Sequence, residues 1–179
     1  MIHEPTFRAN YLSIHRHDPP WLALLNMVFT LGSIASTTSE SNEDIKYYRR
    51  AKEHLGFESF GSGRMETLQA LTLMGGLYLH YRNRPNMDSA IMGASHRMAC
   101  SLGLHREFID SDGALTTTQK EINTRTWWAN RVIDSWGSTT LGRPPIAFDF
   151  EVEVPKNIID DELSDITISL DPILIYLLT

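Results

Sequence analysis

TQKEINTRTWWANRVIDSWGSTTLGRPP, residues 118–145, decides the fold class. Thr118 followed three residues later by Glu121 has the pattern of a capping box, in which the two side chains satisfy backbone donors at a helix start. Ile122, Thr126, Ala129, Ile133 and Trp136 then recur every three or four residues, which puts them on one helix face. Trp127 and Trp128 enlarge the buried area, but consecutive residues point about 100° apart and so do not make one stacking platform. Gly142-Arg143-Pro144-Pro145 ends the run, because glycine takes the left-handed turn and proline lacks the donor that a continuing helix needs. The stretch predicts a helix from about Gln119 to Leu141.

Toward the N-terminus the same period repeats. Asn86 offers a cap for a helix whose inner stripe is Met87, Ile91, Ala94, Met98 and Leu102, closed by Gly103 with Leu104 folding back on the last turn. Arg64–Tyr81 carries Leu68, Leu71 and Leu79 with Met65, Met74, Leu77 and Tyr78, and Arg84-Pro85 ends it. Gly75-Gly76 costs that helix about 1 kcal/mol per glycine against alanine, so the pair either admits a neighbouring backbone or bends the axis. Ser41-Asn42-Glu43-Asp44 provides caps and first-turn acids for a helix through Tyr47, Tyr48, Ala51 and Leu55, with Gly56 as its stop. Asp18-Pro19-Pro20 restarts the chain into Trp21, Leu24, Leu25, Val28, Leu31 and Ile34, a mostly buried helix.

On the other side, Ile146–Pro155 alternates only in part and finds no partner strand, so we read it as an extended strap across helices rather than an edge strand. Ile173–Leu178 is strongly apolar, which suits a helix whose packing partners lie beyond this sequence or a helix covering an interface. The expected architecture is all-α: an irregular multi-helix bundle with an extended C-terminal strap, one domain over residues 1–179.

Composition narrows the function. At 179 residues one domain buries a sizeable core without staples, and 42% hydrophobic with 21% charged residues is a globular balance. A formal charge of -6 gives no field to attract a phosphate backbone, so no direct nucleic-acid contact is expected from this segment. The weakly polar stretch Trp21–Ala35 falls short of the roughly 20 residues of a membrane helix, and no membrane or secretory signal is expected. Cys100 is the one cysteine, so neither an internal disulfide nor a thiolate zinc site can form.

Candidate chemistry is thin. His96 and Cys100 share a helix face at a spacing that suits two metal ligands, but no third joins them; a helix-surface histidine and a half-buried thiol is the plainer reading. His105 interacts with helix-terminal carbonyls, or forms an acid–base pair with Asp110 or Asp134. Arg125, Arg131 and Arg143 either rim an acidic ligand or pair locally with Asp134, Asp149 or Glu151. Trp127 and Trp128 serve the core or line a groove. Gly61-Ser62-Gly63 and Gly75-Gly76 lack the phosphate-loop ending, and Asp160-Asp161-Glu162 with Asp165 lacks the ligand ladder of a calcium loop. No catalytic, cofactor-binding or metal residue is assigned.

Ala94-Ser95-His96-Arg97-Met98-Ala99 followed by Leu102-Gly103-Leu104-His105-Arg106 resembles a helix-ending segment of the fungus-specific transcription factor domain, the middle regulatory region of fungal zinc-cluster regulators. Arg125-Thr126-Trp127-Trp128, Asp134, Leu141-Gly142-Arg143-Pro144, Asp149, Val152 and Pro155 are similar to its second hallmark. His3-Glu4-Pro5-Thr6-Phe7 is similar to the segment where that domain commonly begins, so the resemblance covers 3–158. It implies a nuclear, non-catalytic regulator of transcription that acts through a small-molecule effector or a transcriptional coregulator, and allows a homodimer. It also implies that zinc and DNA contact belong to an N-terminal six-cysteine cluster which this chain does not carry. The residues alone leave two other classes open: an enzyme, marked by a buried polar pocket around His96, His105 and Asp134, and a ligand-free helical interaction module.

Overall fold

The computed structural model describes residues 1–13, 16–36, 42–106, 115–146 and 152–155. Six α-helices make up most of it: α1 Glu4–Leu12, α2 Pro19–Ser36, α3 Glu43–Glu53, α4 Met65–Thr72, α5 Pro85–Ser101 and α6 Thr117–Leu141. A 3-10 turn, Phe57–Gly61, joins α3 to α4, and α4 continues directly into a π-helical stretch, Leu73–Leu79. No strand occurs among the described residues, so the all-α architecture holds.

The middle of the bundle is α4 with its π extension. Residues 67–76 are buried without interruption, and so are Tyr78 and Leu79. On one side lies α2, itself covered by α3; on the other lie α5 and α6. Two apolar clusters result. One gathers Phe7, Trp21, Leu24, Met27, Val28, Met74 and Tyr78, and the other gathers Leu68, Leu71, Met98, Ala99, Leu104 and Trp127.

The glycine pair explains the tight centre. A Cβ on Gly75 would stand 3.0 Å from Ile91 Cγ2, and one on Gly76 would overlap Ile133 Cγ2 and sit 3.1 Å from Met92 Sδ. Gly75-Gly76 therefore serves close approach of α5 and α6, and it falls within the π-helical stretch where the backbone widens.

Three helix ends share one chemistry. Asn83, Gly103 and Gly142 take φ of 53°, 76° and 63°. After each, a backbone N–H reaches back to a last-turn carbonyl: Arg84 to Leu79 at 2.9 Å, Leu104 to Ala99 at 3.0 Å, and Arg143 to Ser138 at 2.8 Å. Leu104 is 4% exposed, so the cap also buries an apolar side chain.

Several expectations need correction. The capping box is Thr116 with Gln119: Gln119 N–H donates to Thr116 Oγ1 at 3.2 Å and Thr116 N–H to Gln119 Oε1 at 2.9 Å. Both frames fit the pattern, but Glu121 is drawn to Arg125 one turn on, at 2.7 Å. Helix α5 starts at Pro85, with no side-chain cap from Asn86, and buries Asp88, Met92, Ser95, His96, Met98 and Ala99, while Met87 is 43% exposed. Helix α6 buries Thr126, Trp127, Asn130, Asp134 and Ser138 and leaves Trp136 half exposed. In both, the inner face mixes polar with apolar residues, and Asn130 of α6 bonds across to Ser95 of α5 and Thr72 of α4, which an apolar-stripe reading misses.

Helix α1 was not expected. It is short, with Pro5 in its first turn and Phe7 packed 4.9 Å from Trp21. Helix α2 spans 18 residues with mean hydropathy 1.2, long and apolar enough by composition alone to cross a membrane. In the fold its Trp21, Leu24, Met27 and Val28 are core residues. The strap is anchored near both ends: Ile146 N–H donates to Asp134 Oδ2 at 2.8 Å, and Trp128 Nε1 donates to the Glu153 carbonyl at 2.8 Å. The strap's middle, Asp110, Asp149, Glu151, the run 160–165 and the apolar run 173–178 lie outside the described residues.

Candidate functional site

Two polar regions compete as sites. The first is a seam between α4, α5 and α6. Asn130, fully buried, donates from Nδ2 to Thr72 Oγ1 at 2.9 Å and to Ser95 Oγ at 2.6 Å. Each hydroxyl passes its own proton to a carbonyl of its helix, Thr72 to Leu68 at 2.9 Å and Ser95 to Met92 at 3.0 Å. Those protons are committed, so Ser95 is no activated nucleophile.

His96 lies beside this seam and is 1% exposed, which corrects the surface reading. Its Nδ1 donates to the Met92 carbonyl at 3.3 Å and its ring meets Trp127 edge-on at 6.4 Å. Burial holds the imidazole below its usual pKa; the negative charge of Asp134 opposes this. His105 packs on the same Trp127 at 6.4 Å. Asp134 itself accepts the Ile146 N–H, so its geometry anchors the strap. Cys100 is half-buried, and burial pushes its thiol up, away from the thiolate that nucleophilic or metal chemistry needs.

The arginines do not gather. Arg125 pairs with Glu121, Arg131 lies over the Trp127 ring at 5.9 Å, and Arg143 donates to Pro85 O at 2.7 Å, Ser89 Oγ at 2.5 Å and Asn86 Oδ1 at 2.6 Å. Arg143 thus ties the exit of α6 to the first turn of α5 rather than to Asp134. Trp127 is core at 1% exposed, and Trp128 holds the strap. No group of three histidine, cysteine or acidic side chains suited to a metal occurs among the described residues. A binuclear zinc cluster takes six thiolates, and one cysteine does not fit that donor set.

The second region is a cleft of about 270 Å³ where α1, α2, α4 and α6 meet. Sequence reasoning missed it, since one wall is the unexpected α1. Its apolar lining includes Ile2, Phe7, Trp21, Leu24, Met65 and Ile122. Amide side chains stand among them: Asn10 of α1, Gln69 of α4, and Gln119 and Asn123 of α6. Gln69 is held by donating to the Met1 carbonyl at 2.8 Å, and Gln119 Oε1 by the cap at Thr116. Asn10 and Asn123 are half-exposed and, among the described residues, are held by no side-chain hydrogen bond, which leaves both open to water or to a ligand.

Charge in the cleft is balanced at one lip. Arg16 lies over the Trp21 ring at 5.3 Å, donates to Asp18 at 2.9 Å and pairs with Glu66. Arg64 approaches the same two carboxylates at 3.5 and 3.4 Å. Burial alone would push Glu66 up. Its own backbone N–H, Arg16 and Arg64 together hold it below the usual carboxylate range.

A further pair was read only as part of a helix start. Asp44, 3% exposed, accepts from Tyr78 Oη at 2.9 Å and from Arg82, locking α3 to the π stretch. A first-turn acid in sequence is here a buried anchor.

Comparison with known proteins gives the class. The chain is similar over 126 residues, at 30% identity, to a lactose regulatory protein of Kluyveromyces lactis, covering 70% of this chain and 14% of that protein. It is 31% identical over 156 residues to a transcription factor of Gibberella moniliformis, covering 80% and 20%. It is 29% identical over 138 residues to a regulatory protein of thiamine-repressible genes in Schizosaccharomyces pombe, covering 72% and 17%. The chain thus spans a fifth or less of these relatives. No solved structure matches it. The family model of the fungal specific transcription factor domain matches residues 1–172. With nearly the whole length matched, the chain belongs to the fungal specific transcription factor domain family.

Proposed function

We propose that this chain is the part of a longer nuclear transcription regulator that senses a small-molecule effector, with DNA contact made by a zinc cluster outside it. The observation that carries the reading is the cleft: it is bounded by four helices, and two of its amides lack partners among the described residues. Asn10 and Asn123 are half-exposed, and a few polar groups set beside an apolar wall are the make-up of a small-molecule site. The relatives' names, which include lactose and thiamine regulation, support transcription control as the class of output.

The test is a reporter assay with the chain fused to an unrelated DNA-binding domain. Thr6, exposed on α1 and lining the cleft, is replaced by tryptophan to fill it. Reporter output is expected to move by about fivefold or more, the scale of ordinary coupling between sites. Unchanged output from a folded Thr6→Trp chain refutes the effector reading.

A coregulator contact is the second reading. Phe57 is 89% exposed and stands 6.3 Å from Phe60, an aromatic pair on the turn before α4. Phe57→Ser changing the reporter while Thr6→Trp does not selects it. A homodimer belongs to the same proposal and is checked by sedimentation of the chain at several concentrations.

A further inference from the structure

The effector reading leaves the chemistry of the ligand open, and the walls narrow it. A cleft of about 270 Å³, partly open to solvent, has room for a small ring-sized molecule. Phe7 and Trp21, tilted 55° to each other, provide aromatic surface, and Met65 provides a soft thioether, all good partners for a ring.

The polar side of the cleft is mostly amide, with His3, whose Nδ1 lies 2.8 Å from Thr6 Oγ1, beside it. Asn10, Gln119 and Asn123 are amides, which both donate and accept. The charged side chains at the lip, Arg16 and Arg64 with Asp18 and Glu66, are two of each sign and already satisfy one another. A charged ligand would have to shed its water against an apolar wall and break one of these pairs, whereas an uncharged one leaves them intact.

Resting on the effector reading, we infer that the cleft takes an uncharged, flat, ring-sized molecule whose amide-like or hydroxyl edge bonds to Asn10 and Asn123 while its ring lies against Phe7, Trp21 and Met65. The bond set is complementary: the ligand edge donates to one side-chain carbonyl and accepts from the other side-chain NH2.

The experiment uses the full 179-residue chain, isotope-labelled so that the side-chain amide resonances of Asn10, Gln119 and Asn123 are read directly. The probes are benzamide, benzoate, benzylamine and hexanamide, each titrated to about 10 mM, which reaches fragment-level affinities. Benzamide is expected to shift these resonances at least about tenfold more tightly than either charged probe or the open chain. Thr6→Trp is expected to abolish the shift, and Asn123→Ala, at a position with no internal bond to lose, to weaken it by about tenfold, with the thermal transition unchanged. Equal or tighter binding of benzoate or benzylamine at the same resonances overturns the uncharged class and leaves the effector cleft standing. Equal binding of hexanamide overturns the ring. No probe moving these resonances overturns the cleft as a ligand site and the effector reading with it.

Discussion

Gly76→Ala tests how the centre of the bundle is packed. A methyl there would overlap Ile133 Cγ2 and press on Met92 Sδ at 3.1 Å and Ile133 Cβ at 3.3 Å. The β-branched Ile133 has little rotamer freedom on a helix, so the methyl cannot be evaded by a flexible tip. Overpacking of this kind costs about 1–3 kcal/mol, and the helical preference of alanine over glycine returns about 1 kcal/mol. The net is a loss of about 0–2 kcal/mol, or more if α6 is forced outward. Gly75→Ala is the internal control: its Cβ would meet Ile91 at 3.0 Å and Met92 Cγ at 3.2 Å, a squeeze small enough for the propensity gain to offset. Urea unfolding followed by circular dichroism gives both values. Adding Ile133→Ala opens the space that the new methyl needs, so the double variant should be less destabilised than the sum of the singles by at least about 1 kcal/mol. Strict additivity, or a Gly76→Ala chain more stable than the parent, refutes the close-approach account of the glycine pair.

Thr116→Ala removes the observed cap and should cost about 1 kcal/mol, while Thr118→Ala should stay within about 0.5 kcal/mol; urea midpoints separate the two frames. Asn130→Ala leaves the Thr72 and Ser95 hydroxyls without their donor and opens a void in a fully buried site, a loss of about 2–4 kcal/mol by the same assay. Burial first, then the hydrogen bond to Asp44, pushes the Tyr78 phenol up to about 12. Its folded value exceeds the unfolded one, so this stability is complete below pH 10 and is lost as pH rises through 12. Burial also pushes the Tyr48 phenol up, so ultraviolet titration should show late-ionising tyrosines, the Tyr78 component of which Tyr78→Phe removes; six tyrosines ionising together would contradict the burial of that phenol.

Much of the helix content was legible because local chemistry and tertiary packing agree there. Gly103 with Leu104, and Gly142 before Pro144, stop helices through backbone geometry that neighbours do not alter. The inner faces of α5 and α6 were harder. Their buried positions hold Ser95, His96, Asn130 and Asp134, and only a partner across the bundle makes such residues cheaper inside than out. Hydrophobic periodicity ranks Met87 and Trp136 above them, and those two lie 43% and 50% exposed. The cleft was illegible for a related reason. Its wall includes α1, nine residues whose helical state depends on Phe7 packing against Trp21 rather than on any internal period.

The two polar regions differ in a way that bears on function. In the seam, Asn130 Nδ2 donates to the Thr72 and Ser95 hydroxyls, these donate to carbonyls of their own helices, and the acceptors left over, His96 Nε2 and Asn130 Oδ1, are enclosed and without partners among the described residues. A polar group in that state costs stability, and its geometry is fixed by three helices at once. Such a network specifies which helix faces meet. In the cleft the order is reversed: Gln69 and the Arg16–Glu66 pair are satisfied and hold the walls, while Asn10 and Asn123 are half-exposed and contribute no bond that folding requires. On the effector reading, Met65, Glu66 and Gln69 in the first turns of α4 would carry the contact of a bound molecule to the helix whose continuation is packed tightly against α5 and α6 at Gly75-Gly76. Under the proposed effector reading, substitutions in the seam should change stability before reporter output, whereas those at Asn10 and Asn123 should do the reverse.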